Sequence, residues 1–179
     1  MGLFTANHWR WALLVFLGAL MSHAVAYEIK GKVVSVADGD TVTVLDGTER
    51  VKVRLASIDA PEKGSSSKRP GQPFGNASRT FLAELVAGKT LTLICYEADR
   101  YGRHICDIPL DQVTANQLMV SAGYAWANRQ AGDKYLRDKT LLALQADAQQ
   151  NKRGLWSESN PTAPWVWRVM CWREGQCDR

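Results

Sequence analysis

The segment DGDTVTVLDGTERVKVRLASIDAPE, residues 38–62, contains two predicted strands with an acidic group at each end. Polar and apolar residues alternate from 41 to 45, which predicts the first strand. The dipeptide Asp46-Gly47 is a strong hairpin signal, because glycine adopts positive φ at little cost. The second predicted strand runs from Arg50 to Ile58, with an apolar residue at every second position. Because a hairpin brings its two ends together, we expect the acidic groups to be neighbours.

The neighbouring acidic groups indicate a cation site. Asp40 precedes the first strand, Asp59 follows the second, and Glu62 lies just beyond it. Arg54 is expected to reach in from the second strand. Carboxylates that lie close together repel each other, and a hard cation held by oxygen ligands relieves that repulsion. The hairpin therefore predicts a cation bound by Asp40 and Asp59.

Four short motifs, in order along the chain, connect this hairpin to a known family. They are DGDT at 38–41, VRLASIDAPE at 53–62, DRYGR at 99–103 and GLWSE at 154–158. Together they resemble the thermonuclease family, which includes staphylococcal nuclease, over roughly residues 31–158. The resemblance implies an α+β fold, a five-stranded OB-fold β-barrel with about three packed α-helices.

The resemblance also implies which residues carry the hydrolysis of a phosphodiester bond. Arg54 and Arg103 match the two arginines that contact the phosphate. A guanidinium suits this task because it stays charged and can bind two oxygens at once. Glu62 matches the glutamate that activates or orients the attacking water, and help of this kind contributes roughly 10²–10⁴-fold to the rate.

The metal ligands implied by the resemblance are Asp40, Asp59 and the backbone carbonyl of Ala60. The family usually has threonine at the last position, but a carbonyl ligand requires no particular side chain. Ligation by oxygen alone suits Ca²⁺. His104 is the only histidine after residue 26, which excludes a His-rich metal site and a two-histidine ribonuclease mechanism.

Three further residues are predicted to bind the substrate. Lys63 begins the segment 63–75, which is rich in Ser, Gly and Pro and shows no periodicity, so it is predicted to be a loop beside the site. Its basic residues are placed to meet phosphates, and a solvated, mobile loop is the alternative. Arg100 and Tyr101 form a basic-aromatic pair in the turn of the third motif. The segment after Gly123 does not reproduce the tyrosine pair of the best-known member, which leaves base preference open.

These expectations describe an exported, Ca²⁺-dependent nuclease that acts on DNA or RNA with little sugar specificity. We expect a monomer with no stable protein partner. One alternative is an OB-fold module that binds nucleic acid without cutting it, and another is an envelope scaffold protein. A non-catalytic relative would be expected to lack the arginines or the glutamate, and this chain has all of them.

The first 26 residues are predicted to be a secretory signal peptide. Arg10 precedes an apolar run from Trp11 to Met21, and Ala24-Val25-Ala26 forms a small-x-small cleavage site. Cleavage after Ala26 would place the protein in the periplasm or outside the cell. An uncleaved membrane anchor is the alternative, although the apolar run is short for that purpose. Removal of this segment lowers the net charge from +4 to +3, which is compatible with a polyanionic substrate.

All four cysteines follow the predicted signal peptide, and an even number in an exported protein indicates two disulfides. Of the three possible pairings, we favour Cys95 with Cys106 across a hairpin and Cys171 with Cys177 in the tail. A zinc site is the alternative, but the spacings do not resemble a CxxC pair.

The remaining pattern predicts one nuclease domain over residues 27–158 and a Trp-rich extension over residues 159–179. Further strands are predicted at 27–36, 90–96 and 103–109, and helices at 76–87, 113–122 and 134–151. The extension contains Trp165, Trp167 and Trp172. We favour its packing on the barrel, because tryptophans bury a large area, over a role as a base-binding surface.

Overall fold

The structure is a computed structural model that describes residues 25–177 of the 179-residue chain. The predicted signal peptide lies outside the described residues except for its last two. The strands are β1 (Tyr27–Val36), β2 (Thr41–Asp46), β3 (Glu49–Leu55), β4 (Ile58–Asp59), β5 (Thr90–Ala98), β6 (His104–Asp107), β7 (Pro109–Leu110), β8 (Val113–Thr114) and β9 (Trp126–Ala127). The helices are α1 (Gly75–Val86), α2 (Ala115–Ser121), α3 (Gln130–Asp133), α4 (Thr140–Gln150) and α5 (Pro164–Trp167).

Five of the strands form a closed barrel in the order β1-β2-β3-β6-β5. Neighbouring strands are antiparallel except for β3 and β6, which are parallel. The period-two pattern of the sequence determines which side chains face inward, and Val42, Val44, Val53 and Leu55 are all buried. The predicted α+β class and the five-stranded OB-fold barrel are confirmed.

The second strand of the hairpin is shorter than the sequence predicts. It ends at Leu55, because Ser57 adopts a left-handed conformation with φ 65°. Three hydrogen bonds hold this turn: the Ser57 hydroxyl accepts from the backbone N–H groups of Arg137 and Asp138, and the Ser57 carbonyl accepts from Asn128 N–H. The chain then resumes as β4, which pairs with β9 instead of continuing the barrel. This turn places Asp59 near Asp40 at the open end of the β2–β3 hairpin, which we call the barrel edge.

The three predicted helices correspond to α1, α2 and α4, with later starts for two of them. Helix α2 begins at Ala115 instead of Val113, because the two preceding residues pair with β7 and Thr114 caps the helix through a capping box with Gln117. Helix α4 begins at Thr140 instead of Lys134. The segment before it contains α3, a single irregular turn with positive φ at Ala131 and Gly132. The predicted strand 103–109 is likewise divided into β6 and β7.

Both favoured cysteine pairs form disulfides. Cys95 and Cys106 face each other in the register of β5 and β6 and are fully buried. Cys171 and Cys177 close a short loop in the tail. We refer to residues 159–177 as the C-terminal arm.

The C-terminal arm packs on the predicted loop 63–75 and on the short strand β9. The indole N–H groups of Trp167 and Trp172 both donate to the carbonyl of Pro70, at 3.4 and 3.0 Å. Trp165 meets Trp126 edge to face, with ring centroids 5.8 Å apart. After α5 the arm continues as a π-helical segment, Arg168–Arg173. None of the helices within residues 25–177 has the length and apolar character that crossing a membrane requires.

Candidate active site

Asp40 and Asp59 meet at the open end of the β2–β3 hairpin, as the sequence predicts. The Arg54 guanidinium bridges them: Nη1 donates to Asp40 Oδ1 at 3.0 Å and Nη2 donates to Asp59 Oδ1 at 2.8 Å. The two aspartates are only 3% and 0% exposed. Arg54 can reach both because it lies opposite Thr41 in the hairpin register.

A tight turn holds Asp40 against the start of the following loop. The Asp40 N–H donates to the Asp38 side chain at 3.1 Å, and the Ala60 N–H donates to Asp40 Oδ2 at 3.1 Å. A Cβ atom at Gly39 would lie 2.6 Å from the Cβ atoms of both Ala60 and Ser78. Glycine is therefore required here for close packing of the turn against the site.

The charge balance around Asp40 favours an additional cation. Burial raises the pKa of Asp40 to about 7 even though Arg54 opposes the shift, and the charges of Asp38 and Asp59 raise it further. Burial disfavours the charged form of Arg54, but the two aspartates outweigh it and raise the pKa of Arg54 above its ordinary value. In addition, the single positive charge of Arg54 faces the two carboxylates of Asp40 and Asp59, so one arginine leaves the pair incompletely neutralised.

A second arginine, Arg168, reaches the site from the C-terminal arm. Its Nη1 donates to Glu62 Oε1 at 2.7 Å and to Asp59 Oδ1 at 3.1 Å, and its Nη2 donates to Asp59 Oδ2 at 2.6 Å. Burial raises the pKa of Glu62, and the contact with Arg168 opposes that rise. Arg168 joins the predicted water-activating residue to a predicted metal ligand.

Sequence reasoning missed two residues at this site. Arg168 lies 109 residues from Asp59, and the one signal in its neighbourhood is that it follows a Trp-rich segment. Gln130, in α3, donates to Asp59 Oδ2 at 3.0 Å. No motif or periodicity in the sequence distinguishes this glutamine from other polar residues.

Arg103 lies beside the site without touching its carboxylates. Its Nε donates to Asp99 Oδ2 at 2.8 Å, and its guanidinium lies over the ring of Tyr101. In the parallel register Arg54 pairs with Ile105, two residues after Arg103, which lies just before β6. Arg100 also lies over the ring of Tyr101, which is 68% exposed. The predicted substrate residues of this turn thus form one exposed basic-aromatic cluster.

Lys63, the remaining predicted substrate residue, lines an open groove of about 620 Å³ beside the site. Asp38, Glu62, Arg69 and Trp172 also line this groove. The Arg69 guanidinium lies over the Trp172 ring. The structure therefore places basic and aromatic side chains in the same groove as Glu62.

Comparison with known proteins supports the family assignment. A family model described as staphylococcal nuclease homologue matches residues 52–158. The chain belongs to the staphylococcal nuclease family. An uncharacterized endonuclease of Escherichia coli O157:H7 is 44% identical over 142 residues, which cover 79% of this chain and 86% of the relative. The micrococcal nuclease of Shigella flexneri is 37% identical over 150 residues, covering 79% and 81%. An uncharacterized endonuclease of Haemophilus influenzae is 40% identical over 138 residues, covering 76% and 71%.

Membership of the staphylococcal nuclease family confirms the resemblance seen in the sequence and the prediction that this chain is a nuclease. The matched range contains Arg54, Asp59, Glu62 and Arg103. It ends before the C-terminal arm, so Arg168 lies outside the segment that the family model describes.

The donor set at the barrel edge fits a hard cation. Within residues 25–177, no three acidic, histidine or cysteine side chains converge as a complete ligand set. Two carboxylates are sufficient when backbone carbonyls and water supply the other oxygens, as in many Ca²⁺ sites. Asp40 Oδ2 accepts a single hydrogen bond among the described residues, from Ala60 N–H, so one of its lone pairs is open for ligation.

Proposed function

We propose that this nuclease is exported and hydrolyses phosphodiester bonds of DNA or RNA with the help of Ca²⁺ bound by Asp40, Asp59 and the carbonyl of Ala60. The observation that carries the proposal is the buried Asp40–Asp59 pair bridged by Arg54, with Glu62 in the same cluster. When bound, Ca²⁺ would supply positive charge for the phosphate and polarise its oxygens.

The two predicted arginines have hydrogen-bond donors left for a phosphate. Arg54 uses one N–H from each Nη on Asp40 and Asp59, so three of its five N–H groups remain. Arg103 uses Nε and Nη2 on Asp99, and its Nη1 makes no hydrogen bond within residues 25–177. We assign both arginines to the negative charge that accumulates on the phosphate in the transition state.

Glu62 is suited to accept a proton from the attacking water. Its Oε1 accepts from Arg168, and its Oε2 has no hydrogen-bond partner among the described residues. A carboxylate with one oxygen held and the other open is fixed in orientation and still able to take a proton. Lys63, Arg100 and Tyr101 are proposed to contact the strand on either side of the scissile bond.

Export is supported by the cysteine chemistry. The two disulfides within residues 25–177 are compatible with an oxidising compartment, such as the periplasm or the medium. We propose that the segment 1–26 is the signal that directs the chain there and that the mature protein is a monomer.

The test is a nuclease assay of the purified mature chain, residues 27–179, on single-stranded and double-stranded DNA and on RNA. We expect cleavage with Ca²⁺, loss of cleavage in EGTA, and recovery when Ca²⁺ is restored. Glu62→Gln should lower kcat by roughly 10²–10⁴-fold. The matched control is Glu84→Gln, an exchange on helix α1 outside the site.

Two outcomes would contradict the proposal. Equal cleavage in EGTA and in Ca²⁺ would show that the reaction does not depend on Ca²⁺. Tight binding of nucleic acid with no cleavage under any divalent cation would favour the non-catalytic binding module instead.

A further inference from the structure

The C-terminal arm is fastened to the loop 63–75, not to a strand of the barrel, at several points around Arg168. Trp167 and Trp172, on either side of it, donate to Pro70, and the disulfide of Cys171 closes the loop behind it. At the start of the arm, Gln72 donates to the carbonyl of Thr162. These contacts place the Arg168 guanidinium against the carboxylates of Asp59 and Glu62.

The Asp59 carboxylate is fully occupied by donors in this arrangement. Oδ1 accepts from Arg54 and Arg168, and Oδ2 accepts from Arg168 and Gln130. A carboxylate offers about four lone-pair positions, and all four are used. A cation can therefore bind to Asp59 only if one of these donors leaves.

Arg168 is the donor that a cation would displace. Gln130 is neutral and is not repelled by a cation, whereas Arg168 carries a like charge. Arg54 is also charged, but its side chain is 17% exposed and lies on a barrel strand. The Arg168 side chain is 30% exposed and belongs to the arm.

We propose that Arg168 is an exchangeable counter-cation: it neutralises Asp59 and Glu62 when no divalent cation is bound and competes with the divalent cation for Asp59. This inference rests on the proposed cation site at Asp59. It gives a function to the arm, which lies outside the residues 52–158 that the family model matches. The affinity of the site for a cation then depends on how firmly the arm is docked.

The first measurement is the Ca²⁺ affinity by titration calorimetry. Because competition is reciprocal, Arg168→Gln should bind Ca²⁺ roughly 5- to 20-fold more tightly than the wild type. The control is Arg173→Gln, which removes the same charge from an exposed position of the same segment. It should change the affinity less than about twofold, since exposed charges are screened. Arg168→Lys keeps the positive charge and serves as the second variant if Arg168→Gln does not fold. Its Ca²⁺ affinity should lie between those of the wild type and Arg168→Gln.

The second measurement is the melting temperature in EGTA and in saturating Ca²⁺. In EGTA, Arg168→Gln should melt about 2–4 °C below Arg173→Gln, because Asp59 and Glu62 have lost a counter-charge. In saturating Ca²⁺ the difference should disappear, since the cation replaces Arg168. An arginine that only anchors the arm would lower the melting temperature equally in both conditions.

The competing outcomes separate this inference from the proposed function. Equal or weaker Ca²⁺ affinity in Arg168→Gln, compared with Arg173→Gln, overturns the exchange alone. If the wild type binds no Ca²⁺, both the exchange and the proposed Ca²⁺ dependence are overturned. Ca²⁺ binding that follows the expected order in a protein without nuclease activity would support the exchange and contradict the proposed reaction.

Discussion

The barrel edge and the C-terminal arm each place an arginine on Asp59, but they hold it in different ways. Arg54 belongs to β3, and backbone hydrogen bonds to both neighbouring strands fix its position. Arg168 belongs to the arm, where indole hydrogen bonds and a short disulfide loop fix it. The same chemical group is thus held once by the fold and once by an attachment to the fold.

This difference indicates how each arginine can respond to a ligand. A residue in the ladder of a closed barrel moves only if the barrel opens, so its contacts persist through the reaction. Side-chain anchors outside the barrel can separate locally, at a cost well below that of global unfolding. We therefore expect Arg54 to keep its contacts with the aspartates when a ligand binds, and Arg168 to be able to give up its contacts.

The largest effect is expected from Arg54→Ala. Loss of this arginine removes the bridge between Asp40 and Asp59 and the donors directed at the phosphate. An arginine in such a role contributes roughly 10³–10⁵-fold to the rate, so kcat should fall by about that factor. Arg54→Lys should restore little, because a point charge cannot span the two aspartates. Steady-state kinetics on a short DNA measures the loss, and circular dichroism verifies the fold.

Arg50→Ala is the control for this change, because Arg50 lies on the same strand and is exposed. It should leave kcat nearly unchanged. A near-normal kcat for Arg54→Ala, with only a raised KM, would show that Arg54 positions the substrate and takes no special part in the transition state.

A smaller effect is expected from Asp40→Asn, which removes a charged ligand and keeps the shape of the side chain. Ca²⁺ affinity should fall roughly tenfold or more, since the number of anionic ligands sets the strength of such sites. Calorimetric titration measures this, with the exposed turn residue Asp46→Asn as a control. Unchanged affinity in Asp40→Asn would place the cation elsewhere.

The same substitution should alter the pH dependence of stability. The folded-state pKa of Asp40 is raised to about 7 from an ordinary value of 3.8, mainly by burial. Between these values the folded protein retains a proton on Asp40 that the unfolded chain has released, so the contribution of Asp40 to stability in EGTA decreases as the pH rises toward 7. In Asp40→Asn this decrease should be smaller, which melting curves from pH 4 to 8 in EGTA will show. An identical slope in both proteins would mean that Asp40 is ionised throughout.

The contrast between the two regions also separates what the sequence predicts from what it does not. The hairpin, the meeting of Asp40 with Asp59 and both disulfides follow from period-two patterning, a turn signal and cysteine spacing. These are local rules, or rules that connect neighbouring strands. They predict the barrel edge well because its geometry follows from strand pairing.

The contacts of the arm obey no such rule. Arg168 is 109 residues from Asp59 along the chain, and Gln130, which also contacts Asp59, is 71 residues from it. No periodicity in the sequence predicts a contact at either separation. The left-handed turn at Ser57 was also missed, because serine is an uncommon residue at positive φ and its stabilising hydrogen bonds come from distant backbone. Tertiary contacts of single side chains are the part of the site that pattern alone cannot supply.

Removal of each disulfide tests the comparison directly. Cys95 and Cys106 are buried in the barrel, and replacing both with alanine should lower the stability by about 2–3 kcal/mol. Replacing Cys171 and Cys177 with alanine should change global unfolding by less than about 0.5 kcal/mol, because the arm can detach while the barrel stays folded. Denaturation in guanidinium chloride, followed by circular dichroism, measures both changes.

The arm variant should nevertheless differ from the wild type in one respect. With its loop opened, the segment around Arg168 has more conformations available, and docking of the guanidinium on Asp59 costs more entropy. Proteolysis within residues 159–177 should therefore become faster in EGTA, and Ca²⁺ affinity should rise toward that of Arg168→Gln. The barrel variant should show neither change when compared below its melting temperature. If loss of the Cys171–Cys177 bond lowers global stability as much as loss of the Cys95–Cys106 bond, the arm is an integral part of the domain. Arg168 would then be held as rigidly as Arg54.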